Sequence, residues 1–420
     1  MSMKNLLYIF CGLFFLSFVT SCEKDEDSAV VGCMDDAANN YDPNATVACN
    51  ESNPNIDCCT YDHSHHDGDD ECCSGNSTPP ETYGFMRNGE STVAYDGQIC
   101  RVNQAAVLMN EAFTNPNNVG MLESMIQNGT GFSISACTDQ VIGNKIAASG
   151  DDPVGGSYFQ GWMSAIVTDL EDNVFPTWNT AAEAGVAGLI GTRHVNAHGL
   201  EPNQAFTKGL IGAMCLDQIT NKYTQPDYIS GQANDPSALA PGDNDTDMEH
   251  KWDEGFGYLF GMDQLANISG LTYSASGDVL LLKYAYKLQD DGLVNVSELY
   301  DLFIEGRHAI VMEDYTTRDE AAVEIKEILD FIIMQKAVDY LRGGADGIAA
   351  GPSTDDDWAE IFHDLSEGYG FVLSLMFTDA FGYGDVADMK TILDNEGGNG
   401  FWTITPDALN TMADEIESEM

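Results

Sequence analysis

Basic residues are scarce in this chain of 420 residues. Lysine and arginine together number 17, against 68 aspartates and glutamates, so the formal net charge is −51. A protein this acidic repels a phosphate backbone, which excludes nucleic acid as the expected partner. The charge favours instead cations, cationic surfaces or solubility in salty water.

The familiar catalytic motifs are missing as well. The chain has no Gly-x-Ser-x-Gly elbow, Walker loop, dinucleotide-binding fingerprint or His-Glu-x-x-His pattern. The sequence therefore gives no motif evidence for the enzyme classes that carry these patterns, which are hydrolases, NTPases, dehydrogenases and zinc peptidases. No catalytic residue is assigned, and a binding protein is more expected than an enzyme. Hydrophobic residues make up 43% of the chain, which excludes global disorder.

The amino terminus has the pattern of an export signal. Lys4 precedes an apolar run over residues 6–20, which is short for a membrane span and typical of a signal-peptide core. The run ends in Val-Thr-Ser-Cys at 19–22, which resembles a bacterial lipobox. The pattern predicts a signal peptide over 1–21 and a lipid anchor on Cys22, which would hold the protein at the outer membrane.

Residues 22–82 form a separate region, predicted to hold the lipid anchor, an acidic linker and a short Cys-rich module. The acidic cluster at 23–27 resembles the surface-export signal of Bacteroidota lipoproteins and predicts exposure on the cell surface. Six cysteines follow the predicted anchor in this region: Cys33, Cys49, Cys58, Cys59, Cys72 and Cys73. In an exported segment they predict disulfides whose pairing stays open. Farther along, Cys100 and Cys137 are a further candidate pair.

From residue 83 to 420 the patterns predict an all-α domain. Capping boxes are indicated at 246–249 and 317–320, and Thr405 precedes a proline suited to a first helical turn. Helical periodicity covers about 156–174, 201–223, 246–262, 278–288, 297–312, 318–342, 355–377 and 406–418. Only residues 91–95 suggest a strand.

A nine-residue pattern occurs twice in this domain. Residues 250–258 and 363–371 both read His-x-x-x-Glu-Gly-aromatic-Gly-aromatic. Upstream, Arg193-His194 lies 56 residues before the first copy, counting between histidines, and Arg307-His308 lies 55 before the second. Matching order and spacing indicate an internal duplication.

The duplication predicts two pseudo-symmetric three-helix units, at about 176–262 and 294–376. Each unit would contain a helix end carrying Arg-His, a long helix, and the helix with the repeated pattern. The long helices are matched by aligning residues 208–223 with residues 326–340.

The repeated pattern also predicts a site. On each helix the histidine, the glutamate and a glycine project away from the apolar stripe. Glycine inside a helix costs about 1 kcal/mol relative to alanine, so its presence predicts a close helix approach or room for a ligand. The candidate ligand-binding residues are Arg193, Lys208, His250, Glu254, Arg307, His363 and Glu367.

Two interpretations of these residues stay open. In the first, His250, Glu254, His363 and Glu367 converge on a divalent metal, since nitrogen and oxygen ligands suit iron, zinc or manganese. In the second, the polar residues only fix helix packing. The two glutamates would then pair with arginines 193 and 307, or with lysines 208 and 326. No other cofactor is indicated.

Several segments resemble an uncharacterised Bacteroidota lipoprotein family, domain of unknown function 4856. They are residues 97–98, 199–204, 208–210, 217–219, 248–254, 306–307 and 365–368. The resemblance covers about 83–420, and its most specific part is Trp252-Asp253-Glu254. The family has no assigned activity.

A more distant similarity is to imelysin-like proteins, exported helical proteins with an internal duplication that are linked to iron uptake and an insulin-cleaving peptidase. Their Gly-x-His-x-x-Glu motif would begin at Gly306, but Val311 stands where the glutamate belongs.

Three functions follow as alternatives. The first is a surface-exposed, lipid-anchored binding protein, with metal or haem acquisition as one expected role. It would bind the membrane through its anchor and contact a small ligand or an outer-membrane receptor. The second is an imelysin-like metallopeptidase with Glu254 or Glu367 as base. The third is a structural surface lipoprotein without a ligand.

Overall fold

The structure is a computed structural model that describes residues 31–32, 47–48, 78–132, 137–262, 280–395 and 397–420. The chain divides into two units, residues 1–67 and 68–420. In the first unit, β1 (Val31–Gly32) pairs in parallel with β2 (Val47–Ala48). The predicted signal peptide, Cys22, the acidic cluster at 23–27 and the six module cysteines lie outside the described residues, so those assignments stay predictions.

The second unit is mainly helical, as predicted. Its described residues form twelve α-helices: α1 (Asp96–Val107), α2 (Leu122–Asn128), α3 (Pro153–Asp169), α4 (Pro202–Leu210), α5 (Pro226–Ile229), α6 (Asp247–Phe260), α7 (Leu281–Asp290), α8 (Val296–Val311), α9 (Tyr315–Ala349), α10 (Asp355–Ser374), α11 (Tyr383–Asp394) and α12 (Pro406–Glu417). Several α-helices continue directly into 3-10 or π-helical turns. The longest extension follows α4, where π-helical turns at Ile211–Leu216 and Ile219–Tyr223 prolong the helix, so one helical rod runs over 202–223.

Two short antiparallel hairpins accompany the helices. β3 (Met86–Arg87) pairs with β4 (Glu90–Ser91), and β5 (Gly188–Ile190) pairs with β6 (Arg193–Val195). Arg193 and His194 therefore lie on a strand, and the prediction that they end a helix is wrong. The turn before them contains Gly191 with φ of +51°. This left-handed conformation suits a tight hairpin turn and is incompatible with a continuing right-handed helix.

Local capping explains where several helices begin. The capping box predicted at 246–249 is confirmed: the Thr246 hydroxyl accepts from the Glu249 amide, and the Glu249 carboxylate accepts from the Thr246 amide. The cap at Thr405 is also confirmed. The box at 317–320 is wrong, because the Asp314 side chain caps the Thr317 amide and starts α9 earlier.

Periodicity missed α1, α2, α11 and the single turn of α5. In α1 the reason is visible, because Gln98, Arg101 and Gln104 are buried together with the apolar residues. A helix that buries polar side chains has no clean apolar stripe. No helix among the described residues is long and apolar enough to cross a membrane.

The two helices with the repeated pattern, α6 and α10, occupy the core. α6 contacts α1, α8 and the end of the 202–223 rod, while α10 lies between α4 and α9. Trp252 and Phe256 of α6 and Leu365 and Phe371 of α10 are fully buried. On their polar sides Glu254 and Glu367 are buried as well, whereas the His250 and His363 side chains keep 40% and 23% of their surface exposed.

Candidate functional site

Glu254 lies at the centre of one polar cluster, which we call the Glu254 cluster. His250 Nε2 lies 3.2 Å from the carboxylate and Lys251 Nζ lies 2.6 Å from it. Gln98 of α1 donates to its other oxygen at 2.8 Å. The Tyr223 hydroxyl, from the end of the 202–223 rod, also donates to it. Three helical segments thus supply donors to one buried carboxylate.

These donors decide the ionisation of the Glu254 cluster. Burial would raise the pKa of Glu254, but the hydrogen bonds from His250, Lys251 and Tyr223 together lower it below its ordinary value. The hydrogen bond to Glu254 raises the pKa of His250. Both residues therefore favour their charged forms, which suits an internal ion pair.

Glu367 lies at the centre of a second cluster, the Glu367 cluster. Lys208 Nζ of α4 lies 2.7 Å from its carboxylate, and His363 Nε2 lies 3.7 Å from it. Tyr284 of α7 donates to the same oxygen at 3.3 Å, and Tyr340 of α9 donates as well. Of the partners predicted for the two glutamates, Lys208 is the one that the structure places in contact.

The Glu367 cluster is also held ionised. Burial would raise the pKa of Glu367, but the charge and hydrogen bond of Lys208, with Tyr340 and His363, lower it to about 2. Burial lowers the pKa of Lys208, and Glu367 acts against that effect. Burial disfavours the charged form of Lys208. The Lys208–Glu367 pair therefore stabilises the fold less than the lowered pKa of Glu367 alone would suggest.

The two clusters agree in their local geometry. Each glutamate lies near the histidine one turn earlier, at 3.2 Å for His250 and 3.7 Å for His363, although only His250 is within hydrogen-bond distance. Each also accepts a hydrogen bond from a tyrosine, Tyr223 or Tyr340, and these tyrosines end the two segments that the sequence aligned. A Cβ added at Gly255 would lie 3.4 Å from Tyr223 Cβ, and one at Gly368 would lie 3.1 Å from Tyr340 Cβ. The agreement is local to these two helices, and the Arg-His elements differ in secondary structure, so the duplication stays a prediction.

The glycines have the close contacts predicted for them. A Cβ at Gly257 would come within 2.4 Å of Tyr95 Cβ. A Cβ at Gly370 would come within 2.5 Å of Lys208 Cβ and 2.6 Å of the Ala205 carbonyl oxygen. Real Cβ atoms do not approach so closely, so glycine at these positions allows the helices to pack and brings Lys208 to Glu367.

Arg307 and Arg193 bind other carboxylates. Arg307 is fully buried, with Nη1 3.0 Å from Glu249 and Nε 2.9 Å from Asp253. Arg193 lies 3.5 Å from Glu201. The Glu201 carboxylate also contacts His363 Nδ1 at 2.7 Å. Neither arginine contacts Glu254 or Glu367, so that predicted pairing is wrong.

The four predicted metal ligands do not form one centre. His250 and Glu254 share no partner with His363 and Glu367 in the contacts described above. Their clusters contact the 202–223 rod fifteen residues apart, at Tyr223 and Lys208, which is roughly 20 Å at about 1.5 Å per residue. Within the described residues, no group of three or more His, Cys, Asp or Glu is arranged to hold a metal ion.

A groove of about 360 Å³ lies beside α10, the helix that carries Glu367. Its walls include the rings of Trp162 on α3, Tyr369 on α10 and Phe401, with centroids 6.0 Å apart for Trp162 and Tyr369 and 6.4 Å for Tyr369 and Phe401. Asp169 and Asp394 are its carboxylates. The Tyr369 hydroxyl donates to Asp394 at 2.8 Å.

Sequence reasoning missed this groove. Tyr369 belongs to the repeated pattern, but nothing in the pattern indicates which side of the helix meets a cavity. The remaining walls come from α3, the 196–200 loop, α11 and the turn near Phe401, which are distant in the chain. The two carboxylates of the groove, Asp169 and Asp394, do not stand out in so acidic a chain, so they gave no signal either.

Comparisons with known proteins give one match. A family model described as "Domain of unknown function (DUF4856)" matches residues 80–420. No curated protein matches the chain. No solved structure matches it either.

Proposed function

Since the chain belongs to the DUF4856 family, whose description names no activity, we propose that the protein is a lipid-anchored binding protein of the bacterial cell surface. In this proposal Cys22 carries the lipid and the second unit holds a small ligand. The single observation that carries the binding role is the aromatic groove between α3, α10 and α11.

Two features support export. The apolar run at 6–20 and the lipobox-like 19–22 are the sequence signals for lipoprotein processing. In the second unit, Cys100 and Cys137 form a disulfide that closes a separation of 37 residues. Disulfides persist mainly in oxidising compartments outside the cytosol. The disulfide is therefore consistent with export of the protein across the inner membrane.

Replacing Cys22 with serine should release the protein from the membrane, because the lipid would have no attachment site. We expect the wild-type protein in the membrane fraction and in the detergent-rich phase after phase separation, and Cys22→Ser in the soluble fraction. Cys11→Ser, inside the apolar run, is the matched control and should stay with the membrane. Membrane retention of Cys22→Ser would contradict the anchor.

The groove has the features of a small-ligand site. Such sites are concave, are lined mainly by apolar and aromatic side chains, and contain a few polar groups that orient the ligand. Here Trp162, Tyr369 and Phe401 line the wall, and each is only slightly exposed, with 8%, 3% and 2% of the residue accessible. Its volume of about 360 Å³ lies near the lower end of the usual range of roughly 300–1,000 Å³. The ligand should therefore be small.

The charges of the groove favour a cation. Asp169 accepts hydrogen bonds from the side-chain amides of Asn196 and Asn173, each 2.8 Å away, and forms no salt bridge within the described residues. Asp394 pairs with Lys390. Aromatic faces attract ammonium groups, and the strongly acidic protein draws cations from solution. We therefore propose a small organic cation, such as a quaternary ammonium compound, as the ligand.

A bulky residue placed in the groove tests this assignment. Ala165 lines the groove and is exposed, so Ala165→Trp should fill the space without disturbing the core. With benzyltrimethylammonium as probe, calorimetry should show saturable binding to the wild-type protein and at least tenfold weaker binding to Ala165→Trp.

Thr168→Trp is the control for the added ring. Thr168 is an exposed residue of the same helix and does not line the groove, so this variant should bind like the wild type. If the wild-type protein does not bind the probe at millimolar concentration, or if both variants bind equally well, the groove is not the site of a small organic cation.

A further inference from the structure

Lysines concentrate around one tyrosine ring of the Glu254 cluster. The ammonium nitrogen of Lys145 lies 5.3 Å from the centroid of the Tyr223 ring, and those of Lys222 and Lys251 each lie 5.8 Å from it. No two of these nitrogens can be more than about 12 Å apart. Buried Arg101 adds a fourth cation close enough to depress the pKa of Lys145. A chain with only 17 basic residues thus places four of them together.

Negative charge does not balance this group. Lys251 pairs with Glu254 at 2.6 Å. Lys145 instead donates to the Tyr223 hydroxyl at 2.6 Å. Within the described part of the chain, neither Lys145 nor Lys222 forms a salt bridge with a carboxylate. Among the described residues, Glu254 is therefore the one carboxylate that forms a salt bridge with any of these four cations.

The guanidinium of Arg101 is also incompletely paired. One of its terminal nitrogens donates to the Gln140 side-chain oxygen at 2.5 Å. Among the described residues, its buried Nε makes no hydrogen bond of good geometry. The Tyr258 hydroxyl is the acceptor nearest in effect, since burial raises the pKa of Tyr258 and Arg101 lowers it through its charge and a side-chain hydrogen bond. Arg101 therefore has neutral partners here and no salt bridge with a described carboxylate.

We propose that Lys145, Lys222 and Lys251, beside Arg101, form a binding site for a phosphate group. A phosphate near pH 7 carries about 1.5 to 2 negative charges and offers several acceptor oxygens. Lysine ammoniums bind such groups as point charges. The three lysines are each partly exposed, so the site opens to solvent. This site is separate from the aromatic groove and does not depend on it.

The Glu367 cluster provides the contrast. Lys287 also contacts tyrosine rings, lying 5.0 Å from the centroid of Tyr284 and 5.9 Å from that of Tyr340. Its neighbours Lys208 and Lys336 are paired with Glu367 and Asp339. The lysine–tyrosine contact is therefore shared by both clusters, and Lys283 also lies 5.4 Å from the Tyr284 ring. The clusters differ in their salt bridges: two lysines are paired in the Glu367 cluster, Lys208 and Lys336, whereas only Lys251 is paired among the described lysines around Tyr223.

Phosphate binding should depend on the protonation of Lys145. Burial, together with the charges of Arg101, Lys222 and Lys251, lowers the pKa of Lys145 to about 8, while Glu254 acts in the opposite direction. Burial raises the pKa of Tyr223, so its hydroxyl stays neutral in this range. Affinity should therefore fall as the pH rises through about 8. Lys145→Arg should remove this fall, since arginine stays charged.

Calorimetry of the full chain at low ionic strength tests the proposal. Inorganic phosphate and phenyl phosphate are the two probes, and they distinguish a free phosphate from the phosphate ester of a larger molecule. Binding of either supports the site. Lys222→Gln should weaken it at least tenfold, because this lysine has no ion pair to lose and its replacement leaves the fold intact.

Two controls separate a site from a general charge effect. Lys287→Gln removes a lysine that contacts tyrosine rings in the Glu367 cluster, away from the proposed site, and should leave phosphate affinity unchanged. Ala165→Trp, which fills the groove, should leave it unchanged as well. The proposal is overturned if neither probe binds at millimolar concentration, if Lys287→Gln weakens binding as much as Lys222→Gln, or if the pH dependence is the same in Lys145→Arg.

Discussion

Arg307→Met should lower the free energy of unfolding by about 3–5 kcal/mol, the usual effect of removing one partner from a buried ion pair. The guanidinium is fully buried between Glu249 and Asp253 and also donates to the Thr92 hydroxyl at 3.0 Å. Methionine fills much of the same volume but leaves Asp253 buried without its cation. Chemical denaturation of the purified variant measures the loss.

The surface provides the matched control. Arg342 pairs with Asp414 and Glu417 but remains about one-third exposed, so Arg342→Met should change the free energy of unfolding by less than about 1 kcal/mol. A second experiment removes the buried carboxylate as well. In an Asp253→Asn background, Arg307→Met should lower the free energy of unfolding by less than it does in the wild-type protein, because no Asp253 charge is left unpaired. Equal losses for Arg307→Met and Arg342→Met would show that the buried pair does not stabilise the fold.

Gly370→Ala should lower the free energy of unfolding by about 2–3 kcal/mol, because a methyl group has no space at this helix contact. Two of the atoms it would meet, the Ala205 carbonyl oxygen at 2.6 Å and the Gly209 nitrogen at 2.8 Å, belong to the backbone of α4. Backbone atoms cannot rotate away as a flexible side chain can. The helices must therefore separate, which also draws Lys208 away from Glu367.

An exposed helix glycine gives the opposite expectation. Gly161 lies inside α3, and a Cβ there would meet no atom within 4 Å. Gly161→Ala should therefore stabilise the protein by about 0.5–1 kcal/mol, through helix propensity and lower entropy of the unfolded chain. Thermal unfolding of both variants measures the contrast. If Gly370→Ala proved as stable as Gly161→Ala, α4 and α10 would not be in the close contact described.

The features that the sequence predicted correctly are local or steric. The Thr246 capping box and the Thr405 cap involve residues three positions apart, so pattern alone identifies them. The close approach at Gly257 and Gly370 followed from the cost of glycine inside a helix. Cys100 was one of few cysteines outside the amino-terminal region, and its pairing with Cys137 is formed.

Errors arose where a long-range or competing contact prevailed. Residues 317–320 match a capping box, but Asp314 offers its own oxygen to the same amide and α9 starts there. Arg307 was expected beside a glutamate of the repeated pattern, yet α8 meets α6 so that the guanidinium reaches Glu249 and Asp253. These two carboxylates lie four residues apart, on one face of α6.

Residue types and short spacings alone predicted the helical body, the two His/Glu helices and the glycines at helix contacts, and they also predict a lipoprotein-like leader. Those properties depend on the chemistry of neighbouring residues, which is the same in any fold. The groove beside Tyr369 and the lysines around Tyr223 depend instead on how distant segments pack together, such as Trp162 and Tyr369, 207 residues apart, and Lys145 and Tyr223, 78 residues apart. Helix packing sets those distances, and an acidic chain with few lysines gives no local sign of where it will gather them.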